Sequence, residues 1–148
     1  ASIRRIFSGT IIMAGGISTG RDIRAAEVLG ADLCHMGTRF IATRESGASG
    51  EYKEMLISAR SSDIVYKRCG STVPANWMKP SLARLGLDAD GHLEELPEGI
   101  IPWRDMWSAG HGVDQIDDVP SVAQLVERLR HEYSEVCQVG PFQAIPSA

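Results

Sequence analysis

Short apolar runs alternate with glycine corners along the first forty positions, and this alternation sets the reading of that end of the chain. Thr10 to Ala14 (TIIMA) shows no polar face after its threonine, the pattern of a strand covered on both sides in a parallel sheet. Gly15 and Gly16 end it. From Thr19 the period becomes helical: Ile23, Ala26 and Leu29 share a face predicted to be buried, Thr19 and Asp22 form a capping-box pair, and Gly30 supplies the stop. Ala31 to Met36 is a second run of the buried-strand kind, closed by Gly37 and Thr38. Thr10 to Phe40 is therefore a strand, helix, strand unit of about 30 residues, the size of a right-handed parallel crossover.

Around this unit the pattern is uneven. Ala1 to Phe7 reads as the tail of a helix entered midway, broken by Ser8 and Gly9. A helix is predicted over Ser49 to Arg60, capped by Ser49, with Tyr52, Met55, Leu56 and Ala59 on one face, and a short strand over Ile64 to Tyr66. From Gly70 to Ala109 prolines, glycines and isolated aromatics interrupt every period; only Pro80 to Leu85 predicts a helix and the rest reads as loop. Asp88 to Gly91 lacks the spaced acids and terminal glutamate of a calcium loop and reads as a surface turn. DDVPSVAQLVERLRHEY is the strongest helical pattern, with Asp118 as cap, Pro120 in the first turn, and Val122, Leu125, Val126, Leu129 and Tyr133 as one apolar stripe. The tail GPFQAIPSA is expected to be mobile or to lie over the surface.

Composition narrows the function. With 148 residues, 43% hydrophobic and 23% charged, the chain matches one soluble globular domain. No apolar run approaches the roughly 20 residues that cross a bilayer, and no basic-then-apolar leader opens the chain, so a cytoplasmic location without membrane contact is expected. The net charge is −4 and the basic residues are scattered among acids, which argues against nucleic acid and leaves a small molecule or another protein as ligand. Cys34, Cys69 and Cys137 are odd in number, far apart and without a CxxC pair, so neither a disulfide framework nor a metal site is signalled.

The glycine corners carry the candidate chemistry. At the C-terminal end of a parallel strand the next helix points its amides and positive dipole end outward, which suits an anion. Gly15 and Gly16 remove side-chain bulk so that a phosphate can approach the main chain, Ser18 and Thr19 add hydroxyl donors, and Gly37 with Thr38 repeat the equipment on the neighbouring strand. In β/α barrels the loops after the last two strands commonly share one phosphate. The spacing is neither a dinucleotide fingerprint nor a Walker loop.

At these residues the sequence resembles the nitronate monooxygenase (2-nitropropane dioxygenase) family, relatives of flavin-type enoyl-ACP reductase. IIMAGGISTGRDIRAAEVLGADLCHMGTRFIATRES carries the likeness, and YKEMLISA, GSTVPANWMKPSL and WSAGHGVDQIDDVPSVAQLVERL extend it, leaving out the last dozen residues. The resemblance implies an α/β fold: the C-terminal part of a TIM-type (β/α)8 barrel, its last parallel β-α-β unit, plus a loop-rich, mainly helical region. It divides the chain into a partial barrel with phosphate loops (1–62), an appended substrate-side region (63–139) and a tail (140–148). It implies FMN as cofactor, with Gly15 and Gly16 forming one phosphate loop and His35, Met36, Gly37 and Thr38 the other. His35 stands where the family commonly has glutamine, and His111, in SAGHGV, stands where glutamine is more usual; His111 is a weak candidate for a residue facing the flavin. Trp77, Trp103, Trp107 or Met78 could line the site. The family's catalytic base and flavin-ring contacts have no counterpart in this chain, so the rest of the barrel is expected from a longer parent or a partner chain. The substrate implied is a nitronate or a similar small molecule, with NAD(P)H as the partner in the reductase alternative, and an inactive fragment or docking subunit as the alternative of another kind.

Overall fold

The computed structural model describes residues 2–70, 73–89 and 95–139. Helix α1 (Ser2–Ile6) precedes strand β1 (Ile12–Ala14), helix α2 (Gly20–Val28) and strand β2 (Leu33–His35). β1 and β2 pair in parallel, with Ile12 opposite Leu33, Met13 opposite Cys34 and Ala14 opposite His35, so the predicted crossover is present. Its helix starts as expected: the Thr19 side chain accepts from the Asp22 amide while the Asp22 carboxylate accepts from the Thr19 amide. Gly30, at φ +99°, turns the chain out of the helix.

The strands are not covered as their composition predicts. Ile12 is 58% exposed and Leu33 56%, and Leu29, expected on the buried face of α2, is 50% exposed. Among the described residues β1 and β2 form a sheet with no third strand. Apolar composition records what a strand needs against it; it does not supply the neighbour.

What α2 does bury, it buries against α6 (Val122–Gln138). The helices approach so closely at Gly20 that a Cβ there would sit 2.2 Å from the Leu129 carbonyl oxygen, and the Gly20 amide donates to Glu132 Oε2 at 2.7 Å. Of the expected α6 stripe, Leu125 and Leu129 are buried, whereas Val126 is 42% exposed. Ser121, not Asp118, caps this helix, through a reciprocal pair with Gln124, and Pro120 lies outside it. Asp118 is instead drawn to two guanidinium groups, those of the buried Arg39 and of Arg128.

Between these parts lie α3 (Thr38–Ile41), α4 (Gly50–Ser58), β3 (Ile64–Lys67), β4 (Ala75–Met78) and α5 (Lys79–Arg84). Ser49 caps α4 as predicted. β4 is a correction: the segment read as loop pairs antiparallel with β3, so the region after residue 62 holds a two-stranded sheet beside its helices. Long-range packing makes it a strand. Trp77 is fully buried, its Nε1 donates to the Lys67 carbonyl at 3.1 Å, and the Met78 amide donates to the Trp107 carbonyl at 3.0 Å. Two apolar clusters flank the sheet, one around Leu56, Met78, Trp107 and Val113, the other around Trp77, Leu82 and Met106. No helix among the described residues is long and apolar enough to cross a membrane. The second half of the Asp88–Gly91 turn and the whole of the tail expected over residues 140–148 lie outside the described residues.

Candidate anion site

The two predicted corners meet. Gly15, Gly16 and Ser18 after β1, and His35, Gly37 and Thr38 at the end of β2, border one cavity of about 200 Å³. Gly15 and Gly16 sit at φ +92° and +70°, a backbone region that side chains resist. A Cβ built on Gly15, Gly16 or Gly37 would meet nothing within 4 Å, so at these glycines the space beside the backbone is open. The amides of Gly16, Ile17, Gly37 and Thr38 find no acceptor among the described residues. Met36, between His35 and Gly37, does not border the cavity.

A third wall comes from far along the chain. Gly110 and Gly112, in the segment leading into a 3-10 turn at His111–Gln115, complete the border. The Gly110 amide donates to Thr38 Oγ1 at 2.9 Å, and Ser18 Oγ donates to the Gly112 carbonyl at 2.9 Å. At Gly112 no side chain fits, because a Cβ would stand 2.8 Å from Ser18 Oγ and 2.9 Å from the backbone of Gly16. Sequence reasoning singled out the histidine of SAGHGV and passed over the glycines on either side. His111 itself is exposed and does not border the cavity. The signal was the spacing of two glycines around one residue, which has meaning only once the partner surface is known.

The helix start contributes less than expected. The amides of Ser18 and Thr19 donate to Asp22 Oδ2 at 2.9 and 2.8 Å, and the Gly20 amide goes to Glu132. The chain's own carboxylates thus occupy the positive end of α2, and the Ser18 hydroxyl is spent on Gly112. What remains for a ligand is main-chain amides, the hydroxyl hydrogen of Thr38 and the imidazole of His35. No lysine or arginine borders the cavity, so an anion here would be held by oriented dipoles. These residues fit a phosphate group: bare glycines, amides without acceptors and room beside the backbone. The aromatic candidates lie elsewhere. Trp77, Met78 and Trp107 are buried in the two clusters, and Trp103 is 53% exposed on another face.

A parallel β-α-β unit whose glycine corners and an incoming loop enclose an anion-sized cavity is the arrangement found at the phosphate end of β/α barrels. The whole described chain agrees with such enzymes: it superposes on FabK from Thermotoga maritima (M276A mutant) with a TM-score of 0.69 and 31% identity, over 92% of this chain and 45% of that one. Nitroalkane oxidase from Streptomyces ansochromogenes gives a TM-score of 0.66 and 25% identity, over 91% and 42%. These solved relatives are TIM-barrel enzymes. The family model for nitronate monooxygenase matches residues 2–85, and the chain belongs to that family. Among curated relatives, probable nitronate monooxygenases of Staphylococcus saprophyticus and Staphylococcus haemolyticus are 28% and 26% identical, over 66% and 80% of this chain. The chain spans about a third of their length, 32% and 37%.

Proposed function

We propose that this chain is the C-terminal, phosphate-holding portion of an FMN-dependent oxidoreductase of the nitronate monooxygenase type. The carrying observation is the three-sided cradle in which Gly15 and Gly16, Gly37 and Thr38, and Gly110 and Gly112 converge on one cavity. FMN, when bound, supplies the redox chemistry that takes an alkyl nitronate and dioxygen to a carbonyl product and nitrite. This chain's residues bind and orient. Gly16, Ile17, Gly37 and Thr38 would offer amides to the phosphate, Gly15 keeps the approach bare, and His35 closes the rim. Fixing the phosphate fixes the flavin's position relative to whatever lies beyond the open ends of β1 and β2.

The exposed faces of β1 and β2 support the second half of the reading, that the remaining barrel strands, with the catalytic base, come from a longer parent or a partner chain. On that reading the isolated chain has no turnover. The test is to purify the full-length parent and look for a flavin absorbance band, then for oxygen uptake with an alkyl nitronate. A colourless protein that takes up neither FMN nor riboflavin would remove the proposal.

A second reading keeps the cradle and changes the reaction. NAD(P)H-dependent flavin reductases of the enoyl-ACP or quinone reductase kind would need the same phosphate anchor, and the likeness to FabK, at least as extensive as that to nitroalkane oxidase, favours keeping it. NADH oxidation by the yellow protein without a nitronate would decide for it.

A further inference from the structure

A second cavity, of about 630 Å³, lies between the start of α4, α5 and the turn at Trp103–Asp105. This is within the roughly 300–1,000 Å³ of small-molecule sites. Its walls are aromatic planes. Trp107 and Tyr52 are stacked with ring centroids 4.9 Å apart and planes 12° apart, and the Arg84 guanidinium lies 4.1 Å over the Trp107 ring. Trp103 adds an indole that is half exposed and leans on Trp77 at 5.2 Å.

Trp103 is held there against its backbone preference. It sits at φ +64°, in the left-handed region a bulky side chain resists. The surrounding turn fixes it: Asp105 Oδ2 accepts from the Ile101 amide at 2.8 Å and pairs with Arg104 at 2.7 Å, and the Asp105 amide returns to the Ile101 carbonyl at 2.9 Å. Part of the ring packs on the buried Trp77, and the half left in water pre-positions a wall for a ligand.

Charge defines the ligand. The four charged side chains of the walls cancel in pairs, Arg84 with Glu51 at 3.5 Å and Arg104 with Asp105. An anionic ligand finds no uncommitted cation among them, and a cationic one no uncommitted carboxylate. We propose that this cleft is a binding site for a neutral, planar aromatic ring stacked against Trp103, at the rim of the buried Tyr52–Trp107 stack. It stands apart from the anion cradle but is wired to it. The chain runs from Trp107 in the cleft to Gly110 in the cradle, and the Tyr52 hydroxyl holds the Ser108 carbonyl between them.

The experiment titrates the protein with 2-naphthol and with 2-naphthoate, following the tryptophan indole N–H resonances. Naphthol should shift that of Trp103 saturably, and naphthoate should bind at least about tenfold more weakly. Trp103→Gly removes the ring and the backbone strain together, so strain relief offsets part of the packing lost on Trp77; the variant should stay folded and lose at least about tenfold in naphthol affinity. Glu51→Gln leaves Arg84 uncommitted and should raise naphthoate affinity severalfold. Naphthol binding unchanged in Trp103→Gly, naphthoate binding as tightly as naphthol in the parent, or no gain for naphthoate in Glu51→Gln would each overturn the assignment. None of these readouts depends on flavin.

Discussion

Ser18 and Gly112, 94 residues apart in sequence, are joined by a 2.9 Å hydrogen bond from the serine hydroxyl to the glycine carbonyl, and a Cβ at Gly112 would collide with that hydroxyl and with the Gly16 backbone. Gly112→Ala should therefore part the third wall from the first. Overpacking of this kind costs about 1–3 kcal/mol, which lowers the melting temperature by several degrees, and the affinity for FMN should fall with it. Thermal unfolding and flavin fluorescence titration measure the two effects side by side.

Gly37 separates binding from folding. Its φ of −100° suits any residue, and an added Cβ meets no protein atom within 4 Å. Gly37→Ala should leave stability within about 0.5 kcal/mol, as for surface changes away from special features. The methyl group would stand in the space a phosphate occupies, so affinity for FMN should drop about tenfold, or roughly 1.4 kcal/mol. Affinity for riboflavin, which has no phosphate, should not change. Equal losses for both flavins would show that the methyl acts elsewhere.

Asp118 ties the second glycine corner to the entry of α6. Arg39, one residue beyond Thr38 and 2% exposed, donates through Nη2 to Asp118 Oδ1 at 3.0 Å, while Arg128 takes the other carboxylate oxygen. The Arg128 guanidinium, with Arg39 behind it, holds the Asp118 carboxyl below its ordinary value of 3.8. A carboxylate depressed on folding stabilises the protein above its unfolded value and stops doing so as pH falls through its folded value. Stability should therefore decline as pH drops below about 4, and Asp118→Asn should flatten that decline. At neutral pH the variant leaves the buried Arg39 charge without its carboxylate, held by the Ala42 and residue-118 carbonyls alone. Its cost should stay below the roughly 3–5 kcal/mol of a fully buried pair, because the carboxylate side is 39% exposed. Urea unfolding at pH 7 and pH 3.5 compares the two.

Tyr133 titrates late. Its hydroxyl donates to Glu27 Oε2 at 2.7 Å, joining α6 to α2, and that carboxylate pushes the phenol up to about 12. The hydrogen-bonded phenol stabilises the fold fully below its ordinary value of 10, and the contribution fades as pH rises toward 12. Absorbance at the phenolate band should show one tyrosine ionising near 12, and Glu27→Gln should bring it back toward 10. Late ionisation that survives the substitution would take Glu27 out of the account.

Sequence carried the local features well. The Thr19 and Asp22 pair and the stop at Gly30 depend on residues three or four apart, so their chemistry is visible in a short window. The two glycine corners were legible for the same reason, and the parallel pairing of β1 and β2 brought them together. What stayed hidden depends on distant partners. β4 is a strand because β3 and the buried Trp77 make it one. Asp118 looked like a cap because Arg39, 79 residues away, could not be seen claiming it. Gly110 and Gly112 looked like turn residues because the need for bare backbone is set by Thr38, Gly16 and Ser18.

The separation of those walls along the chain sets an order of events during synthesis. The corners at Gly16 and Gly37 emerge from the ribosome before the third wall, and Gly112 follows Ser18 by 94 residues. At roughly 5–20 residues per second that is a delay of about 5–20 s. Until it has passed, a nascent chain shows an anion two sides of a box. On the proposed function, loading of a phosphate-bearing ligand would wait on the arrival of a loop that carries no charge of its own to the site.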